Sequence, residues 1–370
     1  MKINLKGISN FFEDVSNFVS RRGVLGIDIG TVAIKLVELF KKGENLVLEN
    51  YGVLGTRGYL ERGNEAIQTS SLKIVERETI ELLGILLREV QPKSKLAVAS
   101  IPVFSAFITP LELPLLSQEE TAQAVSFQAR QYIPMAAEEV SVDWVRIEEF
   151  EDKKSQPKQR LLLIGIPNET IKKYKSIFKA VGLRLNALEV ESFGLTRSLF
   201  KNEKAPSLVI DIGAESTNLN VVENSILKQS SQVDYGGSFL TYSLARGLEI
   251  SPSRAEELKQ RRGLVGSGGE SELSTLLLPL LDVIINEAKR VQALYERNYG
   301  KRIELVTLVG GGANLPGIEE YVRGQTGLKV FKSYPFSGIE YKSELEPAIK
   351  DLSNVLGTAI GLAQRYFSEK

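Results

Sequence analysis

Two apolar runs in this 370-residue chain end in the same chemistry. Val24-Leu25-Gly26-Ile27-Asp28-Ile29-Gly30 leads into Thr31, with Lys35 on the returning strand, and Leu208-Val209-Ile210-Asp211-Ile212-Gly213 leads into Ala214-Glu215-Ser216-Thr217. Each sets an acid, a glycine and a hydroxyl at a strand-to-strand turn, where backbone N–H groups and a side-chain donor can be aimed at an anion. One such turn reads equally well as an ordinary hairpin with glycine at a left-handed position. Two of them, facing one another across a cleft, would clamp a polyphosphate from both sides, with Asp28 and Asp211 holding Mg²⁺ directly or through water. Tyr235-Gly236-Gly237-Ser238, just before a helix, offers further N–H groups of the same kind.

A third element is Val306-Thr307-Leu308-Val309-Gly310-Gly311-Gly312-Ala313-Asn314-Leu315-Pro316-Gly317. Three glycines directly after a buried strand cost backbone entropy, which a flat ligand approaching the main chain would explain, and a nucleoside fits that description. Glu287 and Arg290, three apart on one helix face, could hold a ribose and a base; they read equally as a solvated ion pair. Neither a Gly-x-x-x-x-Gly-Lys-Ser/Thr loop nor a Gly-x-Gly-x-x-Gly fingerprint is present, so P-loop and Rossmann sites are not supported.

Composition removes other chemistry. The chain has no Cys and no His, which excludes disulfides, Cys or His metal sites, Cys-His and Ser-His nucleophilic machinery and histidine acid/base catalysis. With 46 basic and 46 acidic residues, no global field draws in nucleic acid or an anionic membrane. The longest uncharged stretch, Leu96 to Leu111, is shorter than a membrane span and contains Pro102 and Pro110. Glu13 and Asp14 stand where a secretory signal would need an apolar run, so a cytosolic location is expected.

The elements that must position these residues follow from periodicity. Residues 1–22 form an amphipathic extension, with Ile8, Phe11, Phe12, Val15, Phe18 and Val19 at helical spacing. The pattern from Val24 is strand, turn, strand, followed by a helix near Thr79 to Val90 and a strand at Leu96 to Ser100. Because the same opening recurs at Leu208, the chain reads as a duplicated α/β domain around a cleft, with an inserted α+β subdomain. The expected parts are a first lobe at 23–109, completed by 182–204 and a C-terminal helix in 346–370, an insertion at 110–181 and a second lobe at 205–345. Within the insertion, Ser117-Gln118-Glu119-Glu120 caps a helix reaching Tyr132, Val140 to Glu149 is a strand, Glu151 to Arg160 a charged loop, Leu161 to Ile166 a strand, and Asn168 to Val181 a helix. In the second lobe a helical region spans Ser238 to Arg262 and a long helix spans Glu270 to Tyr299.

Two hairpins and a glycine-rich nucleoside loop in this order resemble the actin, Hsp70 and sugar kinase superfamily over nearly the whole chain. Within it, Ile101-Pro102, Leu113-Pro114, Gln131-Tyr132-Ile133-Pro134, Gly236-Gly237-Ser238-Phe239-Leu240-Thr241, Ala255-Glu256-Glu257-Leu258-Lys259 and Gly361-Leu362-Ala363-Gln364-Arg365 resemble the PilM family of actin-like type IV pilus assembly proteins. The resemblance implies an FtsA-like fold binding ATP with Mg²⁺ between the lobes, on the cytoplasmic side of the inner membrane. It also implies a grip on the cytoplasmic N-terminal peptide of PilN, the partner of PilO. By motif position Asp28, Gly30, Thr31 and Lys35 would be the first phosphate loop, Asp211, Gly213, Ser216 and Thr217 the second, and Gly310 to Gly312 the adenosine loop, with Asn314 beside it. Glu191, in Leu188-Glu189-Val190-Glu191-Ser192, matches the place of the superfamily's water-orienting carboxylate or amide. Ser192 replaces a proline common in relatives, so turnover is expected to be slow or absent. Met1-Lys2-Ile3-Asn4-Leu5 is similar to the Ile-Asn-Leu opening of the PilN peptide.

The expected function is thus an ATP-binding adaptor of the pilus assembly platform. The alternatives are a self-associating, membrane-anchored filament of the FtsA type, disfavoured because no anchor segment follows the helix ending near Phe367, and a cytoplasmic module of a type II secretion system.

Overall fold

Gly23–Ile29, which ends in the first acid-glycine turn, is a strand buried along its whole length. The computed structural model describes residues 23–55, 76–151, 154–201, 203–265, 271–332 and 334–368; the amphipathic stretch at 1–22 lies outside them. In chain order the elements are β1 (Gly23–Ile29), β2 (Ala33–Lys42), β3 (Asn45–Gly55), α1 (Glu76–Val90), β4 (Leu96–Ile101), β5 (Phe107–Pro114), α2 (Gln118–Tyr132), β6 (Val140–Glu151), β7 (Pro157–Pro167), α3 (Asn168–Ala180), β8 (Arg184–Val190), α4 (Glu191–Leu199), β9 (Ser207–Ile212), β10 (Thr217–Glu223), β11 (Ile226–Val233), α5 (Gly237–Gly247), α6 (Pro252–Arg262), α7 (Ser271–Tyr299), β12 (Leu305–Val309), α8 (Ile318–Thr326), β13 (Lys329–Lys332), β14 (Ile339–Glu340) and α9 (Glu346–Ser368).

One plan is used twice. The first sheet runs β14-β3-β2-β1-β4-β8, an antiparallel β1-β2-β3 meander with β4 parallel to β1; the second runs β11-β10-β9-β12-β13, the same meander with β12 parallel to β9. Register delivers the functional side chains, because opposed residues of an antiparallel pair share a face. Asp28 stands opposite Lys35 and Asp211 opposite Asn218. The two turns repeat one another down to a single bond: Gly30 N donates to Ala33 O and Gly213 N to Ser216 O, each at 3.0 Å.

The first sheet is covered on both faces. Leu25, Ile27, Leu36 and Ala99 pack with Leu83 of α1 and with Tyr174, Ile177 and Phe178 of α3, while Val24, Val37 and Val98 pack with Leu356, Ile360 and Ala363 of α9. The second lobe's core joins Leu208, Ile210 and Leu219 to Leu281, Ile285 and Ala288 of α7. A three-stranded sheet, β5-β7-β6, carries α2 and forms the insertion. Its helix starts as the sequence predicts, with Ser117 and Glu120 capping one another reciprocally.

Four expectations change. The helix at 168–180 belongs with the first lobe and not with the insertion, because Tyr174, Ile177 and Phe178 are buried against the first sheet. The region read as a loop to Arg160 turns into strand at Pro157, where pairing with β5 and β6 satisfies its backbone. The helical region at 238–262 is two helices, since Pro252 cannot continue the first and Ser251 caps the second by accepting from Arg254 N. The chain also re-enters the first lobe before residue 346, with β14 pairing on β3.

Candidate functional site

A cleft of about 620 Å³ opens between the lobes, and both acid-glycine turns line it. Asp28, at the end of β1, is 3% exposed. Lys35 Nζ donates to its Oδ2 at 2.9 Å and Ser100 Oγ donates to its Oδ1 at 2.7 Å. Burial alone would lower the Lys35 pKa, but the charge and hydrogen bond of Asp28, with Asp211 and Glu191 behind, outweigh it and hold the ammonium charged.

Glu191 begins α4, and its Oε1 accepts from Val103 N and from Asn218 Nδ2, each at 3.0 Å. Burial, then the charges of Asp28 and Asp211, raise its pKa against those two bonds. Asp211 is pushed up to about 6, chiefly by burial, with Asp28 adding and Lys35 and Asn218 opposing. The cleft floor thus gathers three carboxyl groups around one ammonium, and a cation bound there would favour their ionised forms.

The structure brings Gly30, Thr31, Gly213, Ser216, Gly237, Gly310, Gly311, Gly312 and Asn314 to the same cleft. The N–H groups of Gly237 and Ser238 are already engaged: they donate to Gly213 O at 2.9 Å and Ala214 O at 2.7 Å, bracing the second turn. Gly236 packs beneath that turn, and Thr217 Oγ1 donates to Tyr235 O at 2.7 Å, so neither lines the cleft. Of the three consecutive glycines, Gly310 (φ +80°) and Gly312 are required by packing on the end of β9, where an added Cβ would meet Ile212 O at 2.4 Å and Ile212 Cγ2 at 2.2 Å. Only Gly311 has open space at its Cβ position.

Glu287 and Arg290 are not in the cleft. They pair with one another at 2.6 Å, Arg290 is largely exposed and Glu287 also accepts from Ser231, because α7 turns Ile284, Ile285, Ala288 and Val291 into the core and leaves this pair on another face. α6 does line the cleft, through Glu256, Lys259 and Gln260, beside residues of α4, α5 and α9. Lys259 Nζ donates to Glu256 Oε2 at 2.7 Å, Thr241 Oγ1 at 2.7 Å and Gly237 O at 2.8 Å, which ties this helix to the start of α5, the segment that braces the second turn. Burial lowers the Lys259 pKa despite Glu256. Sequence reasoning also missed Asn218, Asn354 and the hydroxyl of Ser238, whose N–H alone it had singled out. Ser238 Oγ and Asn218 Oδ1 are buried at the cleft with no hydrogen-bond partner, which marks them as groups with unused capacity for a ligand. Asn354 Nδ2 donates to Asn314 Oδ1 at 2.7 Å and its carbonyl accepts from Gly310 N at 3.0 Å, so α9 holds the glycine loop in place. These contacts follow from how helices cross, which no local pattern reports.

Comparison with known proteins agrees with this geometry. FtsA of Enterococcus hirae is 23% identical over 349 residues, covering 83% of this chain and 77% of its own length. A solved PilM–PilN type IV pilus biogenesis complex matches 93% of this chain and 98% of its own with a TM-score of 0.79 at 21% identity. MreB 5 of Spiroplasma citri bound to AMPPNP matches 94% of this chain and 96% of its own with a TM-score of 0.52 at 13% identity. These likenesses establish an actin-like fold. The model of the type IV pilus assembly protein PilM family matches residues 26–367, nearly the whole chain, which therefore belongs to the PilM family.

Proposed function

We propose that this chain is an ATP-binding adaptor of the type IV pilus assembly platform, peripheral at the inner membrane, which holds the cytoplasmic N-terminal peptide of PilN with an affinity set by the nucleotide between its lobes. The observation that carries the nucleotide half is the cleft floor, where Asp28, Asp211 and Glu191 surround Lys35 between two matching glycine turns. The peptide half draws on family membership and on the PilM–PilN complex that this fold resembles.

Among the described residues no three acidic side chains converge to ligate a metal by themselves. That suits Mg²⁺, which keeps several waters and takes one or two carboxylates plus phosphate oxygens. Asp28 and Asp211 would hold it, Lys35 would meet the phosphates, and the Gly310–Gly312 loop with Glu256 and Lys259 would border the nucleoside. A bound Mg²⁺ supplies neutralising charge to the phosphates. Glu191, raised in pKa and held by Val103 and Asn218, is a poor base near neutrality, in keeping with slow turnover.

The test is calorimetric titration of a synthetic PilN N-terminal peptide into the protein with Mg-ATP, with Mg-ADP and without nucleotide, repeated in Lys35→Ala. The expected result is an affinity that differs between nucleotide states by roughly 5- to 150-fold, with that difference lost in the variant. Equal affinity in all three states sinks the nucleotide link. A second comparison separates the two candidate helix pairs. Lys259→Ala is expected to weaken nucleotide binding by about tenfold, the scale of one charge-assisted contact, whereas Arg290→Ala leaves it unchanged; the reverse order would restore α7 as the nucleoside wall.

A further inference from the structure

The point at which the described chain enters its fold is fixed. Gly23, the first residue of β1, lies under the Phe40 ring, where an added Cβ would meet Cζ at 2.4 Å, and its carbonyl accepts from Ser94 Oγ at 2.7 Å. Register gathers cations at this end of the first sheet. Lys41 and Lys42 lie just beyond Phe40, the residue opposite Gly23; Lys93 and Lys95 lead into β4, which runs parallel to β1; Arg184 opens β8, its N–H donating to Lys95 O at 2.8 Å. All five side chains are exposed. Glu44 and Glu49 pair with Lys41 and Lys93 and Glu340 accepts from Asn45, but among the described residues no acid pairs with Lys42, Lys95 or Arg184. The chain has no net charge, so this excess is local.

The sequence before Gly23 complements this pole. Residues 1–22 lie outside the described structure and outside the family match, which begins at residue 26. At 3.6 residues per turn Ile8, Phe11, Phe12, Val15, Phe18 and Val19 would share an arc of about 120°. Lys2, Lys6, Arg21 and Arg22 flank that stripe, against Glu13 and Asp14. Three phenylalanines between flanking cations suit the interface of an anionic bilayer, where rings sink below the headgroups and cations meet the phosphates. The pole itself gives the stripe no apolar seat: none of the exposed large apolar side chains of the described residues lies in 40–46, 91–95 or 179–184.

We propose that residues 1–22 and the cationic end of the first sheet together bind an anionic lipid bilayer, the apolar stripe entering the interface and Lys42, Lys95 and Arg184 meeting lipid phosphates. This deepens the membrane-peripheral part of the adaptor reading by adding a direct contact with lipid that needs no PilN. The strength of such a contact sums the apolar area buried and the attraction to anionic headgroups, and the pole supplies the second. β1 carries Gly23 at the pole and Asp28 at the cleft, roughly 17 Å apart at about 3.3 Å per residue. A bilayer seated on the pole therefore leaves the nucleotide cleft facing away from it.

The experiment is flotation of the full chain with phosphatidylcholine vesicles, with and without phosphatidylglycerol. Wild type is compared with a deletion of residues 1–22, with Phe11→Glu plus Phe18→Glu, and with Lys42→Gln, Lys95→Gln and Arg184→Gln combined. Melting temperature and Mg-ATP affinity without vesicles control for folding. Expected is wild-type binding that requires phosphatidylglycerol and weakens with salt. The deletion and the phenylalanine variant should lose ~10-fold or more. The triple variant should lose about fivefold for each cation that touches the surface, up to roughly 100-fold. The phenylalanine variant keeps the test decisive if the deletion fails to fold. Binding that is indifferent to phosphatidylglycerol and to the triple substitution, or that survives loss of the stripe, overturns the proposal. So does a wild type that does not float; a deletion that then melts lower would seat the stripe on this chain's own fold, and one that changes the sedimentation coefficient would seat it on a second copy. Because the vesicles hold no PilN, these failures leave the peptide titration standing, and a failed peptide titration leaves lipid binding standing.

Discussion

Asp211→Asn is expected to make the nucleotide-free protein melt at a higher temperature while abolishing Mg-dependent nucleotide binding. Asp211 has a pKa of about 6 in the folded chain against 3.8 ordinarily, because burial, then the charge of Asp28, disfavours its ionised form more than Lys35 and Asn218 support it. Below pH 3.8 the group is protonated whether folded or unfolded and contributes nothing adverse. Between that pH and about 6 the folded chain keeps a proton that the unfolded chain gives up, so stability falls as pH rises. Above 6 the full penalty is present, on the order of 3 kcal/mol for a shift of about two pKa units. Asn218 can still bond an amide at that place, so the asparagine removes the charge and keeps the shape. At pH 7.5 the expected gain is roughly 6–12 °C, taking about 2–4 °C per kcal/mol. Mg-ATP is expected to raise the melting temperature of the wild type by mass action and to leave that of the variant unchanged. The same proton gives a pH signature: wild-type affinity for Mg-nucleotide falls below pH 6 as Asp211 neutralises. Differential scanning calorimetry at pH 5 and 7.5, with and without Mg-ATP, reads all of this. A variant that melts lower than wild type, or still gains from Mg-ATP, would remove Asp211 from the cation site.

This tension between stability and binding explains why the acid-glycine turns are legible in the sequence. An acid at the end of an otherwise buried strand, followed by glycine, is costly unless something uses it, and finding the pattern twice in one chain makes coincidence a poor account. Lys35 was legible for a different reason, since a hairpin with a short turn fixes which residue faces Asp28. That α6, and not α7, borders the cleft was not legible. Glu256 and Lys259 have the same spacing as Glu287 and Arg290, and both pairs sit on helices, so local pattern ranks them equally. What separates them is where each helix crosses the second sheet. α7 turns its apolar face onto the sheet and its charged pair elsewhere, whereas α6 is tied by Lys259 to the start of α5, which braces the second acid-glycine turn. α3 was misassigned on similar grounds. Its amphipathic pattern reports that Tyr174, Ile177 and Phe178 are buried, but not against which sheet.

Gly361→Ala is expected to be among the most damaging small substitutions at the described glycines, and its effect reaches the cleft. α9 and α4 cross with glycine on each side: an added Cβ at Gly361 would lie 1.7 Å from Gly194 O and 2.4 Å from Gly194 C. Neither atom can rotate away, since both are backbone within a helix, so the helices must separate. Overpacking of this kind costs about 3 kcal/mol or more, a fall of roughly 6–12 °C in melting temperature. The separation also loosens Arg197, whose Nη1 donates to Gly361 O at 2.9 Å and to Glu189 at 3.0 Å. Toward the cleft, α9 carries Asn354, which fixes Gly310 and Asn314. A variant that survives folding should therefore lose nucleotide affinity although no cleft residue has changed. Alanine at Gly324, where nothing lies within 4 Å of the added Cβ, should leave both melting temperature and Mg-ATP affinity at the wild-type level. Equal behaviour of the two variants would mean that the α4–α9 crossing does not hold the cleft in register. If Gly361→Ala alone fails, one close helix contact both supports the first lobe and positions the nucleotide loop.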